Sequence, residues 1–166
     1  AGAETGSGVA RTASDALAAV RRAEPGAALE ASFERVLRSL PAWFGRADAL
    51  QEYVHDTSIH PTFVIGREGT VDGFLTLRRH HPESFEIHCI AVHAERRGSG
   101  GGRALVEHAQ AVAAAQGGRF LQVKTVDVGA GSAAYELTRG FYRRLDFRRS
   151  NRFRPCGTRA RRACSW

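Results

Sequence analysis

The stretch ERRGSGGGRAL, residues 95–105, sets Gly98, Gly100, Gly101 and Gly102 among Arg96, Arg97 and Arg103. An apolar run, FEIHCIAV (85–92), precedes it, and an Ala/Val-rich run, RALVEHAQAVAAAQ (103–116), overlaps its end. Glycine costs about 1 kcal/mol against alanine inside a helix, so a cluster at a helix entrance needs a compensating reason. A Gly-rich turn from strand into helix is a ready anion site. The first-turn amides point outward, the helix dipole adds partial positive charge, and missing Cβ atoms let phosphate oxygens come close. Flanking arginines add charge-assisted hydrogen bonds. The pattern predicts a phosphate-bearing ligand at the glycine turn, residues 98–102.

Two phosphate motifs fail here. A Walker A loop needs Lys before Ser/Thr, where Arg103-Ala104 stands. The dinucleotide fingerprint meets Arg103 at its third glycine, and only 39 residues follow Asp127, too few for the further βα units of that fold.

Working outward, FLQVKTV (120–126) reads as a strand after the helix, with Gly117-Gly118 as the C-cap. Strand, glycine loop, helix and strand make a βαβ crossover, so the strands at 85–92 and 120–126 are expected to be parallel. Upstream, TFVIGRE and VDGFLTLRR form a hairpin around Gly69, and HHPES (80–84) turns into the third strand. Helices are predicted over 14–24, Leu29–Leu40, 47–56 and 133–145, with Pro41 ending the second and AWFG (42–45) packing as a loop. The fold class is therefore α/β (α+β) with a central mixed β-sheet flanked by helices. Residues 1–166 are read as a single domain, 1–13 as a mobile arm with a short strand near Val9–Arg11.

The net charge of +7 is not a spread basic face. Residues 143–166 hold nine arginines and one aspartate, +8 against +7 for the whole chain, so residues 1–142 carry −1. An arginine tail without interleaved aromatics is a poor base-stacking surface, which argues against nucleic acid as a partner. No apolar run reaches membrane-spanning length and no secretory leader opens the chain, so the expected location is cytoplasmic. Cys89, Cys156 and Cys164 fit no disulfide or zinc spacing. His80, His81, His88 and His93 make no i, i+4 pair, so no metal is expected.

Three segments together carry a family resemblance. Arg97-x-x-Gly100-x-Gly102, entered through IAV (90–92), resembles the pyrophosphate loop of the GNAT acetyltransferase superfamily. TRGFYRRLDF (138–147) resembles that family's last helix, and DGFLTLRRHHPESFEIHCIAV (72–92) its strand–turn–strand entry to the central strand. WFG (43–45) is similar to a bacterial subgroup.

The resemblance implies an N-acetyltransferase moving an acetyl group from acetyl-CoA to a primary amine by direct attack in a ternary complex. It implies pyrophosphate contact at Arg97, Gly98, Ser99, Gly100, Gly101, Gly102 and Arg103, and pantetheine contact at Ile90, Ala91 and Val92. Tyr142 matches the tyrosine that protonates the leaving sulfur, its phenol near the ordinary value of about 10. Glu86 matches a glutamate base position; on a mostly apolar strand its pKa is expected to rise. Strict alternation puts Glu86, His88, Ile90 and Val92 on one face, which makes His88 the alternative base. The acceptor is a small-molecule or peptide amine, and the protein a monomer or homodimer. Two readings from other classes are a non-catalytic acyl-CoA sensor and a basic nucleic-acid module worked by the tail.

The family pattern is broken at Leu145-Asp146-Phe147, where aspartate replaces a helix-capping glycine. The tail, 148–166, lacks the apolar alternation of the strands that should follow, and its composition is what GC-rich codons give out of frame. A truncated, disordered or frame-shifted C-terminus is the expectation.

Overall fold

Alternating β-branched and aromatic residues from Thr62 onward build the sheet, and apolar stripes on the helices cover it on both sides. The computed structural model describes residues 20–67, 69–126, 133–153 and 163–165, with 151–153 and 163–165 described by backbone alone. Strand β1 (Arg21–Arg22) is followed by helices α1 (Ala27–Arg38), α2 (Pro41–Phe44) and α3 (Ala47–Ile59). Strands β2 (Thr62–Ile65), β3 (Gly73–His81) and β4 (Ser84–Val92) form a meander. Helix α4 (Gly101–Ala115), strand β5 (Phe120–Val126) and helix α5 (Ala133–Arg143) come next. Two short strands, β6 (Asn151–Phe153) and β7 (Ala163–Ser165), complete the described chain. The sheet order is β1-β2-β3-β4-β5-β7-β6, with β4 and β5 parallel and every other pair antiparallel. This is the mixed, helix-flanked sheet that the sequence predicts.

Each face has its own core. On one, Leu105, Val106, Ala109 and Ala113 of α4 and Tyr142 of α5 pack over Phe63, Leu75, Leu77, Phe85 and Ile87. On the other, Phe33, Val36 and Leu37 of α1 and Leu50 and Val54 of α3 cover Val64, Phe74, Cys89 and Ala91. The Phe33 and Phe74 rings lie 4.7 Å apart. Each large apolar side chain so buried stabilises the fold by about 1.5–3 kcal/mol.

Two irregularities in β4 shape everything near the site. Cys89 pairs with Thr76 but Ile87 pairs with Leu77, so His88 is an extra residue, a β-bulge. The bulge resets the alternation. Ile90 and Val92 join Phe85 and Ile87 on the α4 face, while Cys89 and Ala91 pack against α1 and α3. The predicted common face for Glu86, His88, Ile90 and Val92 is thereby corrected, because strict two-residue periodicity fails across a bulge. The second irregularity is a parting of strands. The β4–β5 ladder runs from Ser84↔Phe120 to Ile87↔Val123 and stops, after which Lys124–Val126 pair with β7 on the other edge of β5.

Further differences from expectation are local. AWFG is not a loop: Pro41 sits at the first position of α2, where its fixed φ and missing N–H suit a helix start. The helix expected over 14–24 gives way at its described end to β1, whose Arg21 and Arg22 pair with Val64 and Phe63. The arm at 1–13 lies outside the described residues. The tail does form strands, against expectation: β7 adds to β5 and β6 to β7 through main-chain bonds that need no apolar alternation. Among the described residues no helix is long and apolar enough to cross a membrane.

Asp146 occupies the left-handed region at φ 62°, immediately after α5, where Leu145 and Phe147 amides both donate to the Tyr142 carbonyl. An L residue there costs about 1–2 kcal/mol relative to its favoured conformation, and aspartate bears less of that than most. Asp146→Gly is expected to raise the free energy of unfolding by about 0.5–1 kcal/mol, read from urea midpoints at unchanged slope.

Candidate functional site

The parting of β4 from β5 opens a cleft of about 570 Å³. Its floor is the diverging pair of strands, one end is the glycine loop, and its walls come from α2, α3 and α5. Five residues of β4, His88 to Val92, run beyond the last ladder partner in β5. Their main-chain groups on that edge face the cleft instead of a strand, so a ligand with its own amide groups can take the missing partner's place.

At the loop end the chain passes through a single 3-10 turn, Ala94–Arg96, before α4 begins. Gly98 at φ 80° and Gly100 at φ 86° adopt left-handed conformations that favour glycine. The amides of Gly98 to Arg103 donate to no protein atom among the described residues; the first bonded amide is Ala104, to the Gly100 carbonyl at 3.0 Å. No side chain caps the helix. A Cβ on Gly101 would stand 2.4 Å from Cδ1 of Ile65, so close packing on β2 also holds that position small. Gly98, Gly100, Gly101, Gly102, Arg97 and Arg103 all line the cleft, as do Ile90, Ala91 and Val92. Ser99 does not, and its hydroxyl turns back to the Arg96 carbonyl at 2.7 Å.

Tyr142 lines the cleft from α5, packed between Phe141 and Phe147. Burial pushes its phenol well above the ordinary value, so the group stays protonated at neutral pH, where an unperturbed phenol was expected. Burial raises the Cys89 thiol in the same way, which leaves that thiol protonated and unreactive.

Glu86 does not line the cleft. It lies where β4 and β5 still pair, buried between His80, which bonds Oε2, and Lys124, whose Nζ is 3.0 Å from Oε1. Burial alone would raise its pKa, but hydrogen bonds from His80 and Lys124 outweigh that and hold it below the usual carboxylate range. The expected rise is corrected: the strand is apolar, but its neighbours supply two donors.

The opposite wall brings His88, the alternative base of the sequence reading, against two residues that the sequence did not single out, Tyr53 and Asp56. His88 Nε2 bonds Oδ2 of Asp56, from α3, at 2.6 Å, and the His88 ring lies 5.6 Å from that of Tyr53. Burial lifts the Tyr53 phenol to about 12. Tyr53 and Asp56 are spaced i, i+3 on α3, a helical pairing visible in YVHD once the helix is placed. Trp43 bridges two walls: its indole N–H donates to Thr138 of α5 at 2.9 Å, and the Arg97 guanidinium lies 4.6 Å from its ring centroid. No three His, Cys, Asp or Glu side chains converge on a metal position among the described residues.

The sequence model for the GNAT acetyltransferase domain matches residues 58–149. No curated protein sequence matches the chain. Many solved structures share its fold. A GNAT-family protein from Desulfovibrio desulfuricans is 25% identical, covers 89% of this chain and 95% of its own, and superposes with a TM-score of 0.70. A GNAT acetyltransferase from Elizabethkingia anophelis with acetyl-CoA bound is 14% identical, with 88% and 94% covered and a TM-score of 0.62. An aminoglycoside 6'-N-acetyltransferase complexed with coenzyme A is 15% identical, with 88% and 93% covered and a TM-score of 0.68.

Trp43→Phe keeps an aromatic body but loses the bond to Thr138 and weakens the stack under Arg97. Stability is expected to fall by about 1–2 kcal/mol in urea unfolding.

Proposed function

The chain belongs to the GNAT acetyltransferase family, and from that premise we propose that it transfers the acetyl group of acetyl-CoA to a primary amine by direct attack. The observation that carries this reading is the run of amides, Gly98 to Arg103, that no protein atom accepts. Six outward donors at a helix N-terminus, beside Arg97 and Arg103, suit a diphosphate and little else of comparable size. The open edge of β4 at Ile90, Ala91 and Val92 suits the amides of a pantetheine arm lying as an extra strand. Bound there, acetyl-CoA supplies the acetyl group and its thiol as leaving group.

Tyr142 is the proton donor to the departing sulfur. Its raised pKa is not a handicap, because the same burial raises any thiol in that space, as Cys89 illustrates. Donor and developing thiolate stay matched, and the proton moves as the carbon–sulfur bond breaks. A main-chain amide near Val92 donates to the thioester carbonyl oxygen. The acceptor enters from the wall of Trp43, Phe44 and Tyr53. Glu86 keeps its charge between His80 and Lys124 and serves to hold Lys124 at the cleft rim; it is a poor recipient for the amine proton.

Calorimetry with coenzyme A, and thiol release from acetyl-CoA with spermidine, kanamycin, phenylalanine and a lysine peptide, test the reading. Tyr142→Phe should cut kcat by about 100-fold or more while coenzyme affinity changes less than twofold. Gly100→Val forces a β-branched residue to φ 86° and distorts the amide cradle at a cost of about 1–2 kcal/mol, so coenzyme affinity should fall about tenfold.

A further inference from the structure

We propose that His88 is the general base of this transfer and that Asp56 is its positioning residue, an inference that rests on the reaction proposed above. The β-bulge supplies the geometry. As the extra residue of β4, His88 stands immediately past the last β4–β5 ladder pair, at the point where the cleft begins, and its side chain lines that cleft. Without the bulge, Cys89 and Ala91 would share the face of Phe85 and Ile87, and the strand beyond His88 would present the wrong residues to each core.

The electrostatics supply the chemistry. An ionised carboxylate can only accept, so Nε2 of His88 carries the proton shared with Asp56, and the lone pair of the neutral ring is on Nδ1. Nδ1 has no protein partner among the described residues. Both side chains are 17% exposed, dry enough for the charge interaction to count and open enough for an amine to arrive. Tyr53 and His60 stand against the His88 ring from α3 and its end, and Arg78, His80, Glu86 and Lys124 are the titratable groups on β4 and the adjoining strands. Burial lowers the His60 pKa, so that neighbour stays neutral near pH 7.

The proton count closes. Of three protons on the acceptor ammonium, one passes to Nδ1 of His88, where the Asp56 carboxylate stabilises the imidazolium, and the freed lone pair attacks the carbonyl carbon. As the carbon–nitrogen bond forms and the carbon–sulfur bond breaks, Tyr142 gives its proton to sulfur and is restored by the second amine proton. The third remains on the amide. His88 returns its proton to water, so one proton is released per turnover.

Long-range proton–nitrogen NMR on the full chain without coenzyme reads the imidazole directly. A neutral His88 in the Nε2–H form, shifting towards a mixture in Asp56→Asn, is the expected result; a dominant Nδ1–H form overturns the proposal. With acetyl-CoA and the four acceptors named above, kcat/KM should rise with pH along a limb that belongs to His88. His88→Gln should lose about 100-fold and the limb with it, at unchanged coenzyme affinity. Asp56→Asn should displace the limb without changing KM for acetyl-CoA, and Glu86→Gln should keep it. A limb that survives in His88→Gln or vanishes in Glu86→Gln overturns the assignment, as does coenzyme binding with no acceptor turned over. Absence of coenzyme binding in calorimetry would instead remove the reaction itself, while the tautomer measurement still judges the pair.

Discussion

A parallel pair of strands that part company after four residue pairs is an expensive arrangement, because it strips main-chain groups of ladder partners on two facing edges. Buried and unmet, each such group would cost about 1–3 kcal/mol. The chain leaves them at the wall of an open cleft, where water or a ligand's amides can meet them. Downstream, β5 recovers partners on its outer edge by pairing Lys124–Val126 with β7, so that the parting does not unravel the sheet. The cleft, the exposed β4 edge and the separation of two working walls all follow from that one divergence.

The glycine loop depends on the same divergence. Helix α4 follows β4 through the 3-10 turn and the glycine loop and packs Leu105, Val106 and Ala109 onto the sheet, which sets its N-terminal amides at the end of the opening. Had β5 stayed paired to the end of β4, those amides would meet solvent at a closed sheet. The Arg97–Trp43 stack and the Trp43–Thr138 bond then tie the loop to α2 and α5, so the phosphate end and the acceptor wall share a residue.

Charge placement separates two acids, Glu86 on β4 and Asp56 on α3. Glu86 sits under the still-paired strands with two donors, His80 and Lys124, and is fixed as an anion. Asp56 meets the cleft through His88, one histidine rather than a lysine, and so leaves a ring nitrogen for proton traffic. The difference comes from two residues of strand and one bulge.

Periodicity, turn residues and the βαβ order made most of the fold legible: the meander, the parallel crossover, α4 and β5 all follow from local patterns that survive burial. The glycine loop was legible too, because clustered glycines and arginines before a helix stand in consecutive residues, whereas Tyr142 entered only through the family resemblance of TRGFYRRLDF; both line the cleft. Other features were decided only in three dimensions. The bulge at His88 leaves no mark in FEIHCIAV, since it arises from register against β3 rather than from any residue's own preference. The Asp56–His88 and Glu86–Lys124 contacts join residues 32 and 38 positions apart. The strands of the arginine-rich tail exist through main-chain bonds of β7 to β5 and of β6 to β7, which side-chain patterning does not report. Sequence specified which groups can do chemistry; tertiary register chose which of them face the cleft, because a one-residue shift in a strand exchanges its faces.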